Sequence, residues 1–291
     1  METIITLLSS ATAQGLLWSF LALGVFLTFR ILDIPDMTAE GSFPLGGGIA
    51  AVAITSGVSP VVATLLGLLG GTIAGLVTAL LHTVLKIPAL LAGIITMTGL
   101  FSITSRIMNA PNIPLLGENT IFSFLQNAGL TKQVAVIIIG LLLAILVLIV
   151  LQWFFKTELG LSLRATGDNP MMAQTNGISN QKMRVAGYMI SNGLVALSGA
   201  LLVQNNGFAD VNSGIGTIVI GLASVIIGEV LFKKAGLLGQ MIAIVVGSVL
   251  YRLILGIVFE FNVEPTDTKL ASALVLILAL SLPRLKLRKK N

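Results

Sequence analysis

Long uncharged apolar runs alternate with short polar breaks along this chain. The longest run, QVAVIIIGLLLAILVLIVLQWFF at 133–155, leads into a polar island, KTELGLSLRATGDNPMMAQTNGISNQKMR at 156–184. A second uncharged stretch follows at 185–209. About 20 apolar residues cross the hydrocarbon core of a bilayer as a helix. The island therefore reads as a loop between two membrane spans, too polar to lie in lipid. The same pattern predicts further spans at 11–29, 58–81, 87–105, 185–204, 215–231, 236–259 and 270–282. A shorter segment, SFPLGGGIAAVAITS at 42–56, opens with Pro44 and three glycines. It reads as a broken or re-entrant half-helix lining a cavity. The fold class is an all-α polytopic membrane protein of about nine transmembrane helices. IFSFLQNAGL at 121–130 is too short to span and is expected along the interface. Gly67, Gly71 and Gly75 recur every four residues, the spacing that lets helix backbones approach in lipid.

Composition supports the same class. Hydrophobic residues make up 55% and charged residues 10% of the chain, against about a quarter charged in soluble domains. There is no cysteine, which excludes disulfides and thiolate metal sites. Basic residues cluster in the 284–291 tail, directly after an apolar run, so the tail reads as a cytoplasmic flank and not as a nucleic-acid site. The same rule puts the central island, Lys233 and Lys234, His82 and Lys86, and Arg30 inside. The N-terminus and an acidic turn holding Glu260, Glu264 and Asp267 then fall outside. The first residues, METIITLLSS, lack the basic start of a signal peptide and read as mature protein. The chain has no Gly-rich phosphate loop of the G-x-x-x-x-G-K-[ST] type. With one histidine it offers neither a metal-ligand set nor a catalytic triad.

Inside the island, Asp168, Asn169 and Pro170 form a helix start, with Asn169 as N-cap and Pro170 at the first helical position. Residues 171–175 then make a short helix, and Asn176 with Gly177 ends it. The run GLSLRATGDNP at 160–170, followed by Ala173 and Asn176-Gly177-Ile178, resembles the cytoplasmic coupling loop of ABC importer permeases of the branched-chain amino acid, ribose and simple-sugar type. Further blocks strengthen the likeness. LDIPDMTAEGSFPLG at 32–46, LHT at 81–83, KIPALLAGI at 86–94, MTGL at 97–100 and RIM at 106–108 look like permeases of tryptophan/tyrosine-type uptake systems.

The resemblance implies one permease domain over 1–291, with a coupling loop at 156–184. Its ATPase-coupling residues would be Arg164, Gly167, Asp168, Asn169, Pro170, Met171, Ala173, Asn176 and Gly177. It also implies a homodimer in the cell membrane, ABC ATPase subunits carrying ATP and Mg, an extracytoplasmic substrate-binding protein, and an aromatic amino acid as substrate. No cofactor or metal is expected on this chain. The alternative is a carrier driven by an ion gradient, which needs an ionisable residue near the midplane, and none of the charges falls clearly there in the sequence.

Charges inside spans are functional candidates. The translocation-path candidates are Glu40, Ser42, Phe43, Gly46, Thr96, Thr98 and Arg252; for Arg252, snorkelling to the outer interface is the competing reading. Glu229, one turn before Lys233, is expected to pair with it or to snorkel. Asp33, Asp36 and Glu40 are expected near the cytoplasmic side, bracing the island through Arg164 or Arg184. His82 is expected at the surface of a turn.

Overall fold

The computed structural model describes residues 2–232 and 236–260, with residues 270, 272–274 and 276–277 further on. Lys233 and Lys234, the turn with Glu264 and Asp267, most of 270–282 and the 284–291 tail lie outside the described residues. The helices are α1 (Glu2–Phe26), α2 (Ala39–Thr55), α3 (Pro60–Thr83), α4 (Ala89–Met108), α5 (Ser123–Asn127), α6 (Lys132–Lys156), α7 (Glu158–Asp168), α8 (Pro170–Thr175), α9 (Asn180–Asn206), α10 (Thr217–Leu231) and α11 (Leu237–Glu260). Two short strands, β1 (Asn112–Pro114) and β2 (Phe208–Asp210), pair antiparallel at the end of the bundle opposite α7 and α8. Among the described residues, seven helices are long and apolar enough to cross a membrane: the α1, α3, α4, α6, α9, α10 and α11 segments. Helix α6 shows why. It carries no charge between Lys132 and Lys156, so its charged ends fall where headgroups begin.

The centre is built by α2, α3 and α9. Helix α2 is buried along most of its length, its glycines included. A Cβ on Gly71 would overlap the Asn192 carbonyl, and one on Gly75 the Tyr188 carbonyl. Likewise Gly199 of α9 sits directly on the Phe43 carbonyl of α2. Small residues at these crossings bring backbones into contact, which is how helices bind one another in lipid. Helix α1 packs on the other side, where Trp18 stacks on Phe43 with ring centroids 5.2 Å apart.

The irregular backbone is not where the sequence suggested. Helix α2 runs unbroken through Pro44 and Gly46. Proline at 44 removes the hydrogen bond to the Glu40 carbonyl, and the backbone of Gly214 packs against that carbonyl and the Pro44 ring. The interruption lies before the helix. A π-helical turn (Leu27–Ile31) ends α1, Asp33 takes a positive φ of 53°, and the chain runs non-helical until α2 begins. That start is at mid-depth, because the Ser42 hydroxyl donates to Asn192 Oδ1 at 2.7 Å and Asn192 lies halfway along α9. A second non-helical stretch follows α9. After β2 the chain makes a 3-10 turn (Val211–Gly214) and dips to the same depth, where Gly216 N–H donates to Glu40 Oε1 at 3.0 Å. Irregular backbone is tolerated at this level only where it is buried in protein or lines a water-filled cavity.

Gly199→Val should destabilise the protein by about 1–3 kcal/mol or more, read as a lowered thermal midpoint in detergent. Gly99, with nothing within 4 Å of a built Cβ, should accept Ala without loss. Equal effects of the two changes would contradict the packing described.

Candidate functional site

The polar island is more ordered than a loop. Thr157 caps α7 by accepting from Gly160 N–H at 3.3 Å. Gly160, Leu163 and Thr166 are its buried positions, three residues apart, a helical signal that the polarity of the segment masked. Leu163 is fully buried in the main core, and Gly167 sits directly on the Ile31 carbonyl, so only glycine fits there. Asn169 then caps α8, its Oδ1 accepting from Met172 N–H at 3.0 Å. Gly177, at φ 82°, turns the chain, and Ile178 N–H donates to the Ala173 carbonyl at 3.0 Å.

Helix α8 is tied down on one side and bare on the other. Ala173 is buried beneath it, whereas Met171 and Met172 are 79% and 63% exposed. Asn180, the first residue of α9, donates to the Pro170 carbonyl at 2.7 Å and accepts from Thr166 at 3.2 Å. Asn176 donates to the Met172 carbonyl at 2.9 Å. Helices α7, α8 and the start of α9 thus form one unit. Beside α8 lies a groove of about 640 Å³ lined by Met171, Gln174, Ile178 and Arg184, among others. Arg164 is elsewhere, in a cleft with Gln152, Lys156 and Leu237 between α6 and α11.

The acidic residues do not brace this unit as expected. Asp33 is exposed. Asp36 is buried at mid-depth, accepting from Thr38 N–H at 2.9 Å and from Asn192 Nδ2 at 2.7 Å. The Thr38 hydroxyl meets that of Thr78 at 2.7 Å. Glu229 pairs across helices with Arg30, whose Nε donates to Oε1 at 2.6 Å and whose Nη2 donates to Oε2. Arg184 lies 3.4 Å from His82 Nε2, and His82 Nδ1 is 2.9 Å from the Ile87 carbonyl. His82 is therefore half-buried between α3 and α9, not a plain surface residue. Sequence spacing gave no view of these partners because each pair joins distant segments.

Glu40 and Thr98 do come together. They line a cavity of about 400 Å³ between the start of α2, the middle of α4 and the 211–215 turn, shared with Met97, Phe101 and Ser102. The other path candidates pack. Phe43 and Gly46 are buried, Ser42 bonds Asn192, and the Thr96 hydroxyl donates to the Ala92 carbonyl at 3.0 Å. The Arg252 guanidinium lies 4.2 Å from the centre of the Trp18 ring, a cation–π contact between α11 and α1.

Residues 7–281 match the family described as branched-chain amino acid transport system, permease component. The chain belongs to this family. It is a multi-pass membrane permease subunit of the ABC importer type. This permease is 43% identical over 282 residues to a tyrosine transport system permease protein of Clostridioides difficile, covering 97% of this chain and 93% of that one. It is 28% identical over 214 residues to a probable branched-chain amino acid transport permease protein of Methanocaldococcus jannaschii, with 67% and 65% covered. In fold it is similar to a solved structure, PsaBC from Streptococcus pneumoniae in complex with Fab, at a TM-score of 0.52 and 14% identity, covering 96% of this chain and 91% of that one.

In the permease, Asn192 joins three helices and the 32–38 segment. Asn192→Leu would remove the partner of Asp36 Oδ2 and of the Ser42 hydroxyl, at about 1–3 kcal/mol for each buried atom left unsatisfied. Ser198→Ala removes only a bond to the Leu17 carbonyl. Thermal midpoints should fall much further for Asn192→Leu; equal losses would show that the cluster has no special weight.

Proposed function

We propose that this permease imports an aromatic amino acid, tyrosine being the first to test, driven by ATPase subunits that dock on α8. The observation that carries this reading is the bare methionine face of α8, fixed through Asn180 to the central helix α9. Met is a flexible, polarisable contact residue suited to an apolar partner surface. A push on α8 passes through Asn180 into α9, and from there to Asn192 and the mid-depth breaks. ATP and its Mg belong to the ATPase chains. The relative named for tyrosine transport supports the substrate class.

Two copies of the permease line the pathway. Helix α4 supports this, because Thr98, Ser102 and Ser105 are exposed along one face of its second half. Such a polar stripe is ill suited to lipid and fits a wetted wall facing a second copy. The α8 end is cytoplasmic. Arg30, Lys86, Lys156, Arg164, Lys182 and Arg184 lie toward that end, as the positive-inside rule requires. The β1–β2 end then faces outward and receives the substrate-binding protein.

Two experiments test this. Replacing residues 169–176 by a Gly/Ser linker should abolish co-purification of the ATPase while the permease stays monodisperse; retention of the ATPase would place the contact elsewhere. The chain has no cysteine, so single cysteines report sidedness. Met171→Cys should be labelled by an impermeant maleimide only from the cytoplasm, and Phe208→Cys only from outside. The reverse pattern would invert the orientation.

A further inference from the structure

The cavity between α2 and α4 contains chemistry that packing does not explain. It lies at mid-depth, beside the start of α2 and the middle of α4. Its wall brings one carboxylate, Glu40, together with two hydroxyls, Thr98 and Ser102, that share a face of α4 four residues apart. Met97 and the half-exposed ring of Phe101 supply an apolar and aromatic surface next to them. The volume, about 400 Å³, falls within the range of about 300–1,000 Å³ typical of small-molecule sites. A carboxylate at this depth is costly to maintain for packing alone.

Glu40 is also held in place. Its Oε1 accepts from Gly216 N–H at 3.0 Å, and that N–H comes from the stretch that dips into the bundle. The carboxylate is thereby aimed without a flexible arm, on a wall built from α2, α4 and the 211–215 turn.

We propose that Glu40 selects substrate in the pathway by receiving the ammonium group of an amine that also carries an aromatic ring, while Met97 and Phe101 receive the ring. Thr98 and Ser102 offer hydroxyls to a carboxylate where the ligand has one. The proposal rests on the importer reading only in assuming that amino acids pass this wall. Binding here is weak by design, since a transit site must release what it takes.

The test is direct binding to the purified permease in lipid nanodiscs, read by ligand-observed NMR, with three aromatic probes and with methylamine as an amine that lacks the ring. Tyrosine has amine, carboxylate and ring; tyramine lacks the carboxylate; 3-(4-hydroxyphenyl)propanoate lacks the amine. Tyrosine and tyramine should bind, and the propanoate should not. Glu40→Gln keeps an oxygen for the Gly216 N–H and removes the charge. It should weaken tyramine and tyrosine by about tenfold or more while the permease stays monodisperse. Phe101→Ala should weaken tyramine but not methylamine. Wild-type affinity in Glu40→Gln, equal binding of the propanoate, or no binding of any probe would overturn the proposal. ATPase co-purification stays a separate readout: its loss from the intact chain would defeat the importer reading, whereas binding to Glu40 is measured without any ATPase present.

Discussion

Backbone contact between α2, α3 and α9 is the constraint on which the rest of the structure depends. In lipid, apolar side chains gain nothing by leaving one apolar medium for another, so helices adhere by close packing and by hydrogen bonds. Gly71 and Gly75 supply the first, pressing α3 onto the Tyr188 and Asn192 carbonyls. Asn192 supplies the second, holding Asp36 and Ser42 from its amide. Gly46 and Gly199 do the same between α2 and α9, and there close packing and the polar cluster depend on each other. A larger residue at 199 would separate α2 from α9 before Asn192 could reach Ser42.

That arrangement gives α9 two tasks. Its centre carries the cluster that fixes where α2 begins, and its first residue holds α8. On our account a load applied at Met171 and Met172 is delivered to mid-depth through a single helix. Two irregular stretches lie nearby: 32–38 leads into the first turn of α2, and 207–216 is bonded to Glu40 in that turn. Ser42 is bonded to Asn192 of α9 and Glu40 to Gly216, so both bonds reach α2 within its first turn.

The apolar runs were legible because a span needs only length and the absence of charge, and α6 and α9 were visible on that basis. The start of α8 was legible because Asn169 and Pro170 act through local geometry. Helix α7 was hidden, since its buried face is made of Gly160, Leu163 and Thr166 and has little hydrophobic contrast. The position of the break was misread because Pro44 and the glycines signal irregularity in isolation. In the fold they face Gly214, Ala196 and Val203, which complete the helix's surroundings. Depth was not legible at all. Asp36 and Glu40 lie next to an apolar span in sequence and look like cytoplasmic flank, yet the 32–38 segment turns back into the bundle. The Arg30–Glu229 pair joins residues far apart in sequence and left no local trace.

The mid-depth acids bear on the driving force, because an ion-driven carrier also needs an ionisable group at that level. Asp36 is held by the Thr38 N–H and the Asn192 amide, and Glu40 by the Gly216 N–H. On the proposed reading the energy source lies on a separate ATPase. The decisive measurement is uptake of labelled tyrosine into proteoliposomes containing the permease, its ATPase and its binding protein. The account predicts accumulation that requires ATP and persists when ionophores collapse every ion gradient. Accumulation by the permease alone, driven by an imposed proton or sodium gradient without ATPase or ATP, would contradict it.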